Sequence, residues 1–132
     1  MGGRIEVTGA VRADKNDGYP TVYASGGETV IHGEMRSEGN ASAIHNKGGS
    51  ILVEGNVYSD TVKRFPIRLT STAGTVTIHG DLSVKREAAR AEGGVLTIDG
   101  DLILRTRDSW ALYATDGEGQ VILTGTDRKE AP

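Results

Sequence analysis

The sequence predicts an all-β chain wound as a parallel β-helix (β-solenoid) of about six rungs, each of ~22–23 residues. Three observations lead there. The phrase "GGVLTIDGDLIL" at 93–104 has relatives along nearly the whole chain: "RIEVTGAV", "ETVIHGEM", "SILVEGNV", "TVTIHGDL", "VLTIDGDL" and "QVILTGTD". Their closing glycines, Gly9, Gly33, Gly55, Gly80, Gly100 and Gly125, follow one another at steps of 24, 22, 25, 20 and 25 residues. A second register, Val22, Ile44, Ile67, Ala89 and Leu112, repeats at steps of 22, 23, 22 and 23.

Each repeat is read in the same order. A strand leads into the closing glycine with period-two alternation, so that Ile5, Thr29, Ile51, Val76, Leu96 and Val121 form one inward column and Val7, Ile31, Val53, Ile78, Ile98 and Leu123 the next. After the glycine the pattern resumes at Val11, Met35, Val57, Leu82 and Leu102, and the second register supplies a third strand. The glycine pairs Gly2-Gly3, Gly26-Gly27, Gly48-Gly49 and Gly93-Gly94 precede the first strand of a repeat. With no helix after them they are corners that tolerate positive φ rather than phosphate-binding loops. Hairpins would seldom put like residues at like positions, whereas a coil stacked on its own copy does so in every rung. The repeats fall near 2–25, 26–47, 48–72, 73–92, 93–116 and 117–126 of a single domain spanning 1–132, with a charged tail over 127–132. "KREAARAE" at 85–92 is the one stretch with helical character, and Phe65 and Trp110 take inward or corner positions.

Composition narrows the function. A net charge of -3 without a basic run excludes the electrostatic footprint of a nucleic-acid binder. The longest apolar runs fall well short of a membrane span, and the N-terminus lacks the apolar core of a signal peptide. With no cysteine there is no disulfide framework or thiolate metal site.

The pattern "GGxVxIxGDLxV", a loop and then "xAIxxx" resembles the rungs of bacterial right-handed parallel β-helices, of the pectin-lyase-like and surface-adhesin kinds, over residues 2 to about 126. The resemblance implies a right-handed coil and an extracellular or cell-surface setting. It brings no active-site motif.

Three outward columns are candidates for chemistry. Thr8, His32, Glu54, His79, Asp99 and Thr124 form the first. Its His32, Glu54, His79 and Asp99 have the donor types of a metal site, but with rungs ~4.8 Å apart the two histidines are about 10 Å apart, too far to share one ion unstrained. The favoured reading is a polar column in which imidazoles and carboxylates alternate, with no metal or cofactor. The second column is Tyr23, His45, Arg68, Arg90 and Tyr113, whose rings and guanidinium groups suit an extended glycan. The third, Glu6, Val30, Leu52, Thr77, Thr97 and Ile122, exposes Val30, Leu52 and Ile122 on a flat sheet and predicts self-association of the chain into a homo-oligomer. The loops beginning "RADKNDGYP", "RSEGNAS", "YSDTVKRFP" and "RTRDSW" are the further places for a ligand. No nucleophile has a recognisable base beside it and no carboxylates are marked as a pair. The expected function is therefore a non-catalytic structural or adhesion-type module presenting a repetitive surface, with a glycan-binding or polysaccharide-processing β-helix protein as the alternative.

Overall fold

The computed structural model of the protein describes residues 3–14, 20–39, 41–61, 65–70, 74–85, 89–105, 113–114 and 119–129. Among these there are seventeen strands and no helix. Each turn of chain supplies three. They are β1 (Arg4–Val7), β2 (Val11–Asp14) and β3 (Val22–Ala24); β4 (Glu28–Ile31), β5 (Met35–Glu38) and β6 (Ile44–Asn46); then β7 (Ser50–Val53), β8 (Val57–Ser59) and β9 (Ile67–Leu69). There follow β10 (Thr75–Ile78), β11 (Leu82–Val84) and β12 (Ala89–Ala91); β13 (Val95–Ile98), β14 (Leu102–Leu104) and β15 (Tyr113–Ala114); and finally β16 (Gln120–Leu123) and β17 (Asp127–Lys129). Ala89–Ala91 is thus strand, although it lies within the stretch of helical character.

Strands stack like on like into three parallel sheets, β1-β4-β7-β10-β13-β16, β2-β5-β8-β11-β14-β17 and β3-β6-β9-β12-β15. The register follows the sequence columns residue for residue: Val53 lies beside Ile78 and Ile78 beside Ile98. Such stacking makes a β-solenoid. Its inward columns fuse into one dry core that includes Ile31, Ile51, Val53, Ile67, Leu69, Val76, Ile78, Leu82, Leu96, Ile98 and Leu102, all at most 1 % exposed.

The solenoid amounts to about four turns rather than six. An end rung has a neighbour on only one side, so its inward residues are not closed over. Ile5 is 63 % exposed although it belongs to an inward column, and in β16 Val121 and Leu123 are only half-buried. The tail also differs from the expectation, because Asp127–Lys129 continues the stack as β17 beside β14.

Two corners explain the glycines, and for different reasons. Gly27, Gly49 and Gly94 adopt φ of 76°, 80° and 78°, a left-handed conformation costly for a side-chain-bearing residue. The closing glycines instead permit close approach. A Cβ on Gly55 would lie 2.7 Å from the carbonyl oxygen of Gly33 in the rung before, and one on Gly100 would press on Gly80 in the same way.

One interior polar residue is built into this frame. Asn46, fully buried, accepts a hydrogen bond from the Gly48 amide at 2.7 Å and donates to the carbonyls of Gly49 at 3.2 Å and Thr75 at 2.9 Å. It ties backbone groups of two successive rungs together, sharing the Gly49 carbonyl with the Thr75 amide.

Candidate functional site

The three sheets present three outward faces, and their side chains are organised differently. On the first sheet the metal-type column forms ion pairs. His32, on the residue after β4, has Nδ1 2.6 Å from Glu54 Oε1 and Nε2 2.6 Å from Glu6 Oε2. Arg4 lies 3.8 Å from Glu6 and 3.2 Å from Glu28, so a charged chain Glu28–Arg4–Glu6–His32–Glu54 ties the first three turns together. Hydrogen bonds to Glu6 and then Glu54 raise the His32 pKa, and the bond to His32 and then the Arg4 charge lower that of Glu6. One turn further on, His79 Nδ1 meets Asp99 Oδ2 at 2.6 Å. The column therefore resolves into separate acid–imidazole groups, and among the described residues no three histidine or carboxylate side chains are placed to hold a metal ion.

That charged chain also accounts for a departure from expectation on the same sheet. Of the residues predicted to be exposed, Val30 is only 6 % exposed and Leu52 is half-buried. Glu6 and Leu52 flank Val30 in its own column, and Glu28 and His32 stand on either side of it in the alternation of its strand. Val30 therefore lies among the ion-paired residues Glu6, Glu28 and His32. Ile122, in an end strand with a neighbour on one side only, is 44 % exposed.

The second sheet carries a clasp that the columns do not reveal. The guanidinium carbons of Arg36, one rung before Tyr58, and of Arg105, two rungs after it, each lie 4.0 Å from the centre of the Tyr58 ring. Arg105 Nη1 donates to the Tyr58 hydroxyl at 2.7 Å and to Asp60 Oδ1 at 2.8 Å, and Nη2 donates to the carbonyl of Ser59. Glu38 pairs with Arg36 at 3.1 Å and with Arg12 at 3.3 Å. The available signal was positional: Tyr58 and Asp60 open one variable loop, and Arg105 opens another two repeats later.

The third sheet brings the predicted ligand column together in register: Tyr23 beside His45, His45 beside Arg68, Arg68 beside Arg90, and Arg90 beside Tyr113. Tyr113 is placed there by its backbone. Tyr23 is 53 % exposed, and its ring meets that of His45 edge to face at 5.3 Å. Phe65, given an inward or corner position by its repeat, is half-buried with the Arg90 guanidinium 5.6 Å from its ring centre. Trp110 lies outside the described residues.

The polar groups of this face are incompletely paired. Glu92 sits at long range from two guanidinium groups, 3.7 Å from Arg68 and 3.9 Å from Arg90. Among the described residues five buried side-chain polar atoms have no hydrogen-bond partner, and four of them, His45 Nε2, Thr70 Oγ1, Arg90 Nε and Glu92 Oε2, belong to this face. Burial, then the positive charges of Arg68 and Lys47, lower the His45 pKa, so its ring is neutral at neutral pH. The face is a rigid strip of rings and donors that can stack on a flat ligand and bond to its oxygens. No family model, no curated protein and no solved structure matches this chain.

Proposed function

We propose that the chain is a non-catalytic, adhesion-type β-solenoid module that presents the outward ladder of its third sheet to a partner. The observation that carries this reading is the ladder Tyr23–His45–Arg68–Arg90 held in register on that one face, with the Tyr23 ring and the Arg68 guanidinium exposed. The first two faces spend their charged groups on one another: His32 on Glu6 and Glu54, Arg105 on Asp60. Binding through the third sheet takes precedence over self-association through Val30, Leu52 and Ile122, because Val30 is enclosed.

A polysaccharide-processing function is the competing reading, since rings and guanidinium groups in a row suit a sugar chain. Prolonged incubation with a uronic-acid polymer, followed by ultraviolet absorbance for unsaturated sugar and by reducing-end release, separates the two. Neither signal should rise above a boiled control. Turnover of either kind overturns the non-catalytic reading.

A further inference from the structure

The third sheet carries a charge pattern unlike that of the chain as a whole. The protein's net charge is -3. On this face, by contrast, Lys47, Arg68 and Arg90 stand beside the single carboxylate of Glu92, which among the described residues leaves two more positive than negative groups. Arg68 and Arg90 are directly in register on neighbouring strands, about 4.8 Å apart at the backbone, a like-charge pairing that destabilises a sheet unless an anion answers it. Glu92 answers both at 3.7 and 3.9 Å, beyond hydrogen-bond reach of either.

The remaining groups specify more than an anion. Tyr23 at one end of the ladder is exposed, and Phe65 lies under the Arg90 guanidinium. His45, half-buried between Tyr23 and Arg68, adds a neutral polar ring to the ladder. A strip of flat rings and excess guanidinium charge, repeating every ~4.8 Å along a straight axis, matches a chain of sugar rings that carry acidic substituents.

We infer that the Tyr23–His45–Arg68–Arg90 ladder binds an anionic polysaccharide strand laid along the solenoid axis, its acidic groups bridging Arg68 and Arg90 and a sugar ring stacking on Tyr23. This inference rests on the reading of the third sheet as the binding face.

Three oligomers of equal length, one of uronic acids, one sulfated and one uncharged, are titrated into the whole protein by calorimetry at low and at physiological salt. The charged oligomers should bind and weaken as salt rises, and the uncharged one should bind at least about tenfold more weakly. The preferred acidic group is the one whose oligomer binds tighter. Replacing both arginines (Arg68→Gln with Arg90→Gln) should remove at least about tenfold in affinity while the circular dichroism spectrum is unchanged. Tyr23→Ala should weaken binding about fivefold or more through lost stacking. Bound anion should also raise the pKa of His45, read from its imidazole resonances in a chain with only 3 histidines.

Equal binding of the uncharged oligomer, or charged-oligomer binding that survives the double arginine substitution, overturns the inference. So does a failure of every oligomer to bind at millimolar concentration, an outcome that leaves the non-catalytic reading standing. Cleavage of the uronic-acid oligomer overturns that reading instead.

Discussion

Gly55→Ala and Gly9→Ala make the same change at the same place in two repeats, and the stacked structure predicts opposite results. A Cβ at Gly55 falls 2.7 Å from the Gly33 carbonyl oxygen, 2.8 Å from its carbon and 2.9 Å from the Glu34 nitrogen, all backbone atoms with no rotamer to change. Restoring an ordinary contact of 3.4 Å requires a separation of 3.4 - 2.7 = 0.7 Å between rungs. The Gly55 amide already reaches the Gly33 carbonyl at 3.2 Å, and 3.2 + 0.7 = 3.9 Å breaks that bond. One lost hydrogen bond of about 1 kcal/mol and local overpacking of about 1–3 kcal/mol give a destabilisation of about 2–4 kcal/mol. For a chain of this length that lowers Tm by about 8–16 °C. At Gly9 a Cβ meets nothing within 4 Å, since among the described residues β1 is the edge strand of its sheet, and φ is not left-handed there. Gly9→Ala should be neutral or raise stability by up to about 1 kcal/mol through the unfolded chain. Thermal melts by circular dichroism at several scan rates provide the measurement. If Gly55→Ala melts within about 2 °C of the parent, or if both variants fall equally, close rung-to-rung approach is not why glycine occupies this column.

Strand parity predicts that Ile78→Asp, which buries an unpaired carboxylate among aliphatic columns, costs more than about 4 kcal/mol and abolishes the cooperative melt. The adjacent outward change Thr77→Asp should stay within about 1 kcal/mol, and equal damage from the two would reverse the assigned parity. Arg105→Lys keeps the charge but loses the planar fork that reaches the Tyr58 hydroxyl, Asp60 and the Ser59 carbonyl, so urea unfolding should show a loss of about 1–3 kcal/mol; an unchanged midpoint would make the clasp ornamental. The raised pKa of His32 stabilises the fold fully below the ordinary histidine value of about 6.5, and that contribution is lost as pH climbs through the raised value. The lowered pKa of Glu6 acts in the opposite sense, its contribution being present above the ordinary carboxylate value and lost as pH falls through the lowered one. Amide exchange in β1, corrected for its intrinsic pH dependence, should therefore be slowest in between and quicken on the alkaline side, and His32→Gln should flatten that alkaline rise. A parent protein already flat across that range would detach His32 from the first turn's stability.

What the residues disclosed in advance follows from which forces act along a column. Ile51, Val76 and Leu96 were identifiable as core because a parallel stack repeats each environment, so that burial of one member implies burial of its neighbours. The same logic carried Tyr23, His45, Arg68 and Arg90 into a single ladder. It failed where side chains cross between columns. Glu6 leaves the Val30 column to reach His32, and Val30 beside it is buried rather than exposed. Arg105 crosses two rungs to reach Tyr58 and Asp60. Long flexible side chains take such contacts for the sake of a charge partner, and repeat spacing says nothing about where partners lie. The count of turns failed for another reason: Gly9 and Gly125 mark rungs in the sequence as clearly as Gly55 does, but sealing a rung takes a neighbour on both sides.

Glycine shows why a repeated phrase can serve two physical ends at once. At Gly27, Gly49 and Gly94 it permits the left-handed corner that returns the chain to the start of the next rung. At Gly33, Gly55, Gly80 and Gly100 its missing side chain lets one backbone settle onto another, and nothing about the dihedral requires it. The first role governs direction and the second spacing. Spacing is what the outward ladders inherit: Arg68 lies beside Arg90 because successive turns are held at the distance set by these contacts and by the strand hydrogen bonds. A separation of 0.7 Å at the glycine corner would therefore reach the binding strip as well as the core, because both ride on the same turns. Loss of stability and loss of ligand affinity should accordingly appear together in Gly55→Ala, whereas Arg68→Gln with Arg90→Gln should separate them.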